Sequence, residues 1–596
     1  SFLTLPTVVA GVALAGVAQA GAAQTEPRSA SFRLITQTPW VAPGGDAFFH
    51  LAVDTREAPG NLEISATVHT GLTSRGRLSS ILRSGRPGDV LASPAPVALD
   101  SLRIDADGNY LFPVSTQDPS LPRDAGRVSL RADGVYPVDI RLRKKSDGAQ
   151  LDRQMTYLPV VKARTNQVPL MVAVVWRLDA SPAHDPDGQA TAKKQSDVEA
   201  RLGPVAQAIA GASSVPFTLA PVPETLDAWA RADITADRPT GPATSGDATP
   251  PDEELSSLQR LRATLSSPDR FLTMEPYAPI DLPSLNGAGL PDEVRTQFDR
   301  GIAVTRDLFG KPDLTTVVTG MMDSRSVDQL VARGVDRVVI DAASVNLSSQ
   351  RLTPARPFTI TSNNRAGRLL AGVADRELGE LLDRSPTGSD DTPGLRAAKF
   401  IAATTITALE LPAQQRGVIV VVSADSRNQG TTGNTGADLV DAVAVALRSN
   451  PLLTAQTLDA YFEGVPHETL KGKPVVRAPK SLDPQRTTVT PGALRSARTR
   501  LRSFATLTGE ESPLALRAER SLLLAESYKA GDSANRYRAG GLDIVRKTIG
   551  QVEGPARQTI TLIGERAEVP VSFVNHTGQD LRVEVRLQSD KLLFPD

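Results

Sequence analysis

Seven short and continuously apolar runs between residues 166 and 475 constrain the fold of this chain more than any other feature. The first, LMVAVVW at 170, contains no polar residue, as expected for a strand buried on both faces of a parallel sheet. Helical patterns lie between most of the runs, and such alternation is typical of parallel α/β domains. We therefore predict an α/β domain over 166–475, as a degenerate (β/α)7–8 barrel or an open sheet. The other runs are VPFTLA at 215, RFLTM at 270, LTTVVT at 314, DRVVID at 336, RLLAGVA at 368 and GVIVVVS at 417.

The segments on either side of this domain have different patterns. Residues 30–162 alternate apolar and polar residues between turn signals, which predicts an Ig-like β-sandwich. Residues 488–553 carry two or three amphipathic helical patterns, which indicate a small helical bundle. Alternation resumes over 556–596 for about three strands, which we interpret as an incomplete C-terminal β-sandwich. The predicted fold class is multidomain α/β plus β, with residues 235–254 as a mobile surface loop.

The N-terminal segment carries no charged residue before Glu26, and Ala18-Gln19-Ala20 matches a signal-peptidase site. Residues 1–25 are therefore predicted to be a signal peptide or a membrane anchor, and the rest of the chain to be exported to the extracytoplasmic face of the cell membrane. The 66 Lys and Arg residues nearly balance the 67 Asp and Glu residues, so nothing global favours nucleic acid. The chain has no cysteine, which excludes disulfides, thiolate nucleophiles and Cys-ligated zinc.

Polar residues follow most of the seven apolar runs, where parallel α/β domains place their functional sites. Because the carboxyl ends of parallel strands meet at one edge, these residues are candidates for lining a ligand cleft. A catalytic metal is not expected, since the five histidines are scattered and form no His-x-x-x-His pair. No cofactor is expected either. The candidates for the ligand cleft are Asp179, His184, Glu224, Tyr277, Asp323 and Asp341, and further strand-end acids are Asp227, Asp281 and Asp375.

An alternative interpretation makes two of the strand-end carboxylates catalytic. Glycoside hydrolysis needs two carboxyl groups on opposite sides of the scissile bond, roughly 5–10 Å apart. Glu275 follows the third run and Asp425 the seventh, so they face each other across the mouth if the sheet closes into a barrel. A Glu275 buried in an ion pair with arginine would weaken this interpretation.

Two groups of arginines are expected to be solvated. Arg75, Arg77, Arg83 and Arg86 lie in a polar insert that is predicted to be a loop or short helix at the surface. Four more crowd the first helix of the predicted bundle, and we interpret them as its solvated face: Arg495, Arg498, Arg500 and Arg502.

The order of these segments resembles a known family. The quoted blocks are GVYPV and LPVV closing the sandwich, PLMVAVVW, GMMDSRSVDQLVARGVDRVVID, NPLLTAQTLDAYF and VPVSFVNHTGQDLRVEVRL. They are similar to the exported actinobacterial family of unknown function whose genes commonly lie beside that of the lipid II flippase. Members typically end in a transmembrane helix, and their middle domain is similar to polysaccharide deacetylase and family 57 glycosidase barrels. The deacetylase Asp-Asp and His-x-x-x-His ligands are absent from this sequence, so deacetylation is not expected.

The resemblance implies a role in the cell envelope, in the export of peptidoglycan precursors or in wall assembly. The first hypothesis is a membrane-anchored, non-catalytic accessory protein that binds a membrane protein, such as the flippase, or a glycan. The alternative is the carbohydrate-active hydrolase that uses Glu275 and Asp425. A third hypothesis is a secreted adhesive module without a small ligand.

Overall fold

The computed structural model of the chain describes residues 30–118, 120, 122, 124, 126–130, 132–162, 167–236, 256–310, 314–347, 353–363, 365–383, 391–423, 435–480, 490–554 and 571–583. The predicted signal segment 1–25, Asp425, most of the loop 235–254 and most of the C-terminal segment 556–596 lie outside the described residues. The multidomain α/β plus β architecture is confirmed. Among the described residues, no helix combines the length and apolar character needed to cross a bilayer.

The N-terminal unit consists of two antiparallel sheets around one apolar core. Its elements are β1 Ala30–Gln37, β2 Asp46–Thr55, β3 Leu62–His69, α1 Arg75–Ser84, β4 Val90–Ala92, β5 Val97–Ala98, β6 Arg103–Ile104, β7 Tyr110–Ser115, β8 Gly134–Lys144 and β9 Gln150–Val160. One sheet has the strand order β1-β2-β7-β6, and the other has the order β4-β3-β8-β9 with β5 beside β3. Inward-facing residues such as Phe49, Ile64 and Val138 are fully buried. Along β1 and β2 buried residues alternate with more exposed ones, as the period-two pattern predicts, whereas most positions of β8 are buried.

The central unit alternates strands and helices, and all seven apolar runs form strands. Its first half comprises β10 Leu170–Leu178, α2 Ala192–Gly211, β11 Phe217–Pro221, α3 Pro223–Ala236, α4 Ser257–Thr264, β12 Arg270–Leu272, α5 Leu282–Gly287, α6 Pro291–Phe309 and β13 Thr316–Val318. Its second half comprises α7 Ser324–Val331, β14 Arg337–Ile340, β15 Phe358–Thr361, β16 Arg368–Val373, α8 Arg376–Leu382, α9 Pro393–Glu410, β17 Gly417–Ser423, α10 Thr435–Ser449, β18 Leu453–Gln456, α11 Leu458–Gly464, β19 Thr469–Leu470, β20 Lys473–Pro474 and β21 Val476–Arg477.

Parallel pairing connects the strands of the central unit into two sets. One set has the order β12-β11-β10-β17, and the other contains β13-β14-β16, with β15 antiparallel to β16. Single parallel bridges, Met274 to Val317 and Ala374 to Ile419, join the two sets at both ends. All seven strands therefore point the same way and each has a neighbour on both sides, so their carboxyl ends share one rim.

Three helices and a short pair of antiparallel strands follow the central unit. The helices are amphipathic and pack on one another and on α6, burying residues such as Phe504 and Leu523 in the same core as the central unit. The small pairing of β22 with β23 lies beyond them. The elements are α12 Pro491–Thr508, α13 Pro513–Ala525, α14 Ala534–Ile549, β22 Val552–Glu553 and β23 Val574–Asn575.

Long-range arginine pairs join the three units, and they correct the prediction of a solvated side chain for one arginine of each group. The other arginines are exposed as predicted: Arg77, Arg83, Arg86, Arg495, Arg500 and Arg502. Arg75, at the start of α1, makes a bidentate ion pair with Asp375 at the rim of the central unit, and its side chain is only 12% exposed. Arg498 of α12 is buried between Glu293 of α6 and Glu526 just after α13. Both arginines cover carboxylates of another unit, and a local charge pattern does not reveal such partners.

Candidate functional site: the mouth of the parallel sheet

The carboxyl ends of the parallel strands surround a polar cleft of about 340 Å³, which we call the mouth cleft. Because the strands are parallel, short segments distant in sequence each place one or two side chains there. Its charged residues carry both signs. They are Arg177 of β10, Asp341 after β14, Asp375, Arg376 and Glu380 at and within α8, and Asp383 just after α8.

A buried ion pair lies beside the mouth cleft. Glu275, three residues after the end of β12, is only 3% exposed, and its Oε2 lies 3.7 Å from Nη2 of Arg177. The Thr273 hydroxyl donates to the other carboxylate oxygen at 2.9 Å. Burial raises the pKa of Glu275 to about 7, although the Arg177 charge acts in the opposite direction. The expectation of an open carboxylate at this position is therefore not met.

The nearby carboxylates of Glu275 and Asp179 both stabilise the charged guanidinium of Arg177. Its Nε is buried and has no hydrogen-bond partner among the described residues. Its side chain remains 22% exposed, on the side that lines the mouth cleft. A guanidinium with unused N–H groups at the edge of a polar cleft is suited to bind oxygen atoms of a ligand.

The four carboxylates of the mouth cleft differ in how far ion pairs and hydrogen bonds within the protein already occupy their oxygen atoms. Asp375 is neutralised by Arg75, and Glu380 accepts a bond of 2.7 Å from Arg376. Asp341 accepts from the Ala343 backbone N–H at 2.8 Å. Burial raises the pKa of Asp383 to about 6, against a weak backbone bond from Ser423. Asp341 and Asp383 therefore keep oxygen atoms for a ligand.

His184, a predicted cleft residue, belongs instead to a polar cluster that is buried except for the Asp227 side chain, which is 13% exposed. Its Nδ1 lies 2.8 Å from Oε1 of Glu224, and its Nε2 lies 3.6 Å from Oδ2 of Asp227. The Tyr277 hydroxyl donates to Asp227 at 3.1 Å, and Nε of Arg520 lies 2.7 Å from the same oxygen. We call these five residues the His184 cluster.

The His184 cluster joins the central unit to the helical bundle. Arg520 comes from α13, and the Tyr537 hydroxyl of α14 donates to the His184 carbonyl at 3.0 Å. Burial raises the pKa of the Asp227 carboxyl, but Arg520 and His184 outweigh it and leave that pKa below its ordinary value. A β-carbon on Gly540 would collide with the Pro186 carbonyl, so the bundle helix approaches this loop with no room for a side chain. The role of the His184 cluster is therefore structural: it connects the central unit to the helical bundle.

The remaining described residues that the sequence singled out belong neither to the lining of the mouth cleft nor to the His184 cluster. Asp179 is buried beside the cleft, accepts from the Ser181 N–H at 2.9 Å and lies 3.5 Å from Nζ of Lys529. Asp323 accepts from the Ser326 N–H at 2.8 Å and caps α7. Asp281 caps α5 in the same way. Asp425 lies outside the described residues.

Of the six predicted cleft residues, the structure places one, Asp341, in the lining of the mouth cleft. Arg177, Arg376 and Asp383 line it and were not singled out in the sequence. The sequence did contain an indication that Arg177 matters, because this residue is the first charge after the apolar run LMVAVVW. No group of three or more His, Asp or Glu side chains arranged to hold a metal ion occurs in the part of the chain that the structure describes.

Comparison with known proteins gives a family without an assigned activity. A model described as "Family of unknown function (DUF6049)" matches residues 229–592, more than half of the chain. No curated protein matches.

Solved structures with low likeness include two carbohydrate-active enzymes. One is a 4-alpha-glucanotransferase from Thermococcus litoralis, at 11% identity and a TM-score of 0.41 over 63% of this chain and 57% of that one. The other is the alpha-amylase AmyC from Thermotoga maritima, at 9% identity and a TM-score of 0.43 over 64% of this chain and 93% of that one.

A third solved structure is a putative polysaccharide deacetylase from Mycobacterium smegmatis, at 15% identity and a TM-score of 0.34 over 51% of this chain and 92% of that one. Structural similarity at these TM-scores does not indicate an activity for this chain.

Proposed function

The chain belongs to the DUF6049 family of unknown function, and from this premise we propose that it is a non-catalytic accessory protein of the cell envelope. In this proposal the mouth cleft binds a glycan. The N-terminal sheets serve as an Ig-like sandwich, and the seven parallel strands serve as a degenerate barrel that carries the cleft.

One observation carries the non-catalytic part of the proposal. Glu275, the strand-end glutamate with the most perturbed environment, is buried against Arg177 and bonded to Thr273. A glycosidase carboxyl must contact the glycosidic oxygen or the anomeric carbon, and a side chain that is 3% exposed does not reach a substrate. Asp375 is likewise engaged by Arg75. The ion pair of Asp375 with Arg75 joins the central unit to the N-terminal sheets, whereas Glu275 is paired within the central unit.

The composition of the mouth cleft supports a glycan as the ligand. Vicinal hydroxyl groups form paired hydrogen bonds with carboxylates, and ring oxygens and hydroxyls accept from guanidinium groups. The mouth cleft offers the carboxylates of Asp341 and Asp383 opposite the guanidinium of Arg177. Its volume of about 340 Å³ is at the lower end of the range for small-molecule sites, which suits one or two sugar rings.

The cellular location and the partner of the protein are proposed from its N-terminal sequence and from the family resemblance. The uncharged segment before Glu26 supports export, and the family resemblance supports a place near lipid-linked peptidoglycan precursors. We propose a membrane protein of precursor export, such as the lipid II flippase, as the partner. Co-purification of that protein with the full-length chain from detergent-solubilised membranes would test this.

Hydrolysis is the second candidate, because a pKa of about 7 is what a general acid requires. Its partner carboxylate, Asp425, lies outside the described residues. The burial of Glu275 places this candidate second.

Loss of the two carboxylates that keep oxygen atoms for a ligand should weaken glycan binding. We expect the double variant Asp341→Asn, Asp383→Asn to bind β-1,4-linked N-acetylhexosamine oligosaccharides roughly 10- to 100-fold more weakly, because at each position a neutral bond of about 0.5–1.5 kcal/mol replaces a charge-assisted bond of about 1.5–3 kcal/mol. Isothermal titration calorimetry of the full chain measures this. Asp307→Asn, an exposed carboxylate of α6, is the control and should leave affinity unchanged. Equal affinity in both variants would contradict the proposed site.

A further inference from the structure

A second concave surface lies on the helical bundle, away from the residues of the mouth cleft. The groove between α12 and α14 has a volume of about 890 Å³, and we call it the bundle groove. Its floor is apolar and includes Phe504, Leu507, Leu542 and Val545, while Ile549 at its end is half exposed. Arg582 closes one side, since its backbone N–H donates to the Leu507 carbonyl at 2.8 Å.

The rim of the bundle groove is basic. Arg500, Arg538 and Arg582 line it, and none of their guanidinium groups has a hydrogen bond or an ion pair with another described residue. The Nε of Arg538 is buried and has no acceptor among the described residues. Only Arg546 has an acidic neighbour, Asp543, at 3.0 Å. A buried N–H without an acceptor costs free energy, so an anionic ligand at this rim would remove an existing penalty.

The shape of the bundle groove distinguishes between anionic partners. On α14 its lining extends from Arg538 to Ile549, which at 1.5 Å per residue is roughly 16 Å, or three helical turns. An apolar trough of this length between two helices matches the apolar face of a third helix. A flat lipid surface does not enter a trough, although it contacts exposed arginines.

We propose that the bundle groove binds an acidic amphipathic helix of another protein. Apolar side chains at positions i, i+3 or i+4, and i+7 of that helix lie on the floor. Aspartate and glutamate side chains on its flanks pair with Arg500, Arg538 and Arg582. The proposal does not depend on glycan binding, because the two surfaces share no residue.

The test is selection from a phage-displayed library of helical peptides of about 18 residues on the immobilised full-length chain. We expect enriched peptides to combine apolar residues at helical spacing with a net negative charge. In fluorescence anisotropy, Arg500→Glu, Arg538→Glu, Arg582→Glu should lower the affinity of the best peptide by roughly 30-fold or more. A version of that peptide with lysine in place of its acidic residues should bind the reversed variant better than the wild type.

The matched control is Arg495→Glu, Arg536→Glu, Lys547→Glu, which makes the same charge change outside the groove lining on the same two helices. It should change the affinity by less than about threefold. Thermal unfolding establishes that both variants fold.

Three results would overturn the proposal: no enriched peptide, enriched peptides without acidic residues, or equal effects of the two triple variants. Binding of phosphatidylglycerol vesicles that depends on the groove arginines, without peptide binding, would assign the groove to anionic lipid and would also overturn it.

Discussion

Replacement of Arg498 by alanine is expected to destabilise the chain by about 3–5 kcal/mol, because it leaves buried acids without their cation. Nε of Arg498 donates to Glu293 at 2.7 Å, and Nη2 donates to Glu526 at 3.0 Å. Burial raises the pKa of Glu526 well above its ordinary range despite the nearby Arg498. Gln297 Nε2 donates to the second Glu526 oxygen at 2.8 Å, and this neutral amide does not replace the charge of the arginine.

The measurement for this variant is thermal unfolding by scanning calorimetry at neutral pH. The matched control is Arg500→Ala, an exposed arginine of the same helix, for which we expect less than about 1 kcal/mol. Adding Glu526→Gln to Arg498→Ala should recover part of the loss, because it removes one of the two acids. A loss of stability no larger than that of Arg500→Ala would contradict the interface described above.

The second prediction with a large expected effect is that protonation of Glu275 makes the stability of the folded chain depend on pH. Its folded pKa, raised from 4.5 to about 7, means that the folded chain retains a proton that the unfolded chain releases. The contribution of Glu275 to the free energy of unfolding therefore falls as pH rises from 4.5 to about 7 and is constant above that range. A rise of this size corresponds to about 3 kcal/mol.

Glu275→Gln mimics the protonated side chain at every pH. We expect its melting temperature to equal that of the wild type below pH 4.5 and to exceed it by several degrees above pH 7. Calorimetry of both proteins across this range is the measurement. Glu463→Gln, an exposed glutamate of α11, is the control and should give parallel profiles. A Glu275→Gln variant that is less stable than the wild type at pH 8 would show that the ionised pair with Arg177 stabilises the fold.

The sequence predicted the regular part of the fold well, because parallel strands buried on both faces must be continuously apolar. All seven runs are strands, from LMVAVVW at 170 to GVIVVVS at 417. The sequence missed the two-residue strands β19, β20 and β21, and it also missed β15 and β18, each four residues long. The reason is clear for β15 and β18. They contain threonine, and β18 also glutamine, so neither forms a continuous apolar run.

The candidate site was predicted less well, because it depends on pairs that are distant in sequence. Arg75 and Asp375 are 300 residues apart, and no local pattern indicates that they meet. His184 and Glu224 follow neighbouring parallel strands, so their proximity was predictable. Their burial was not, because it comes from Arg520 and Tyr537 of the helical bundle, which covers this part of the rim. Strand-end position identifies candidates, and only tertiary packing separates the cleft residues from the structural ones.

The central claim is that the mouth cleft binds a glycan without cleaving it. The most direct measurement incubates the full-length wild type and Glu275→Gln with defined N-acetylhexosamine oligosaccharides and follows products by liquid chromatography and mass spectrometry. We predict binding by both proteins and no product above the blank from either. Products formed by the wild type and absent with a folded Glu275→Gln variant would contradict the claim and identify Glu275 as catalytic.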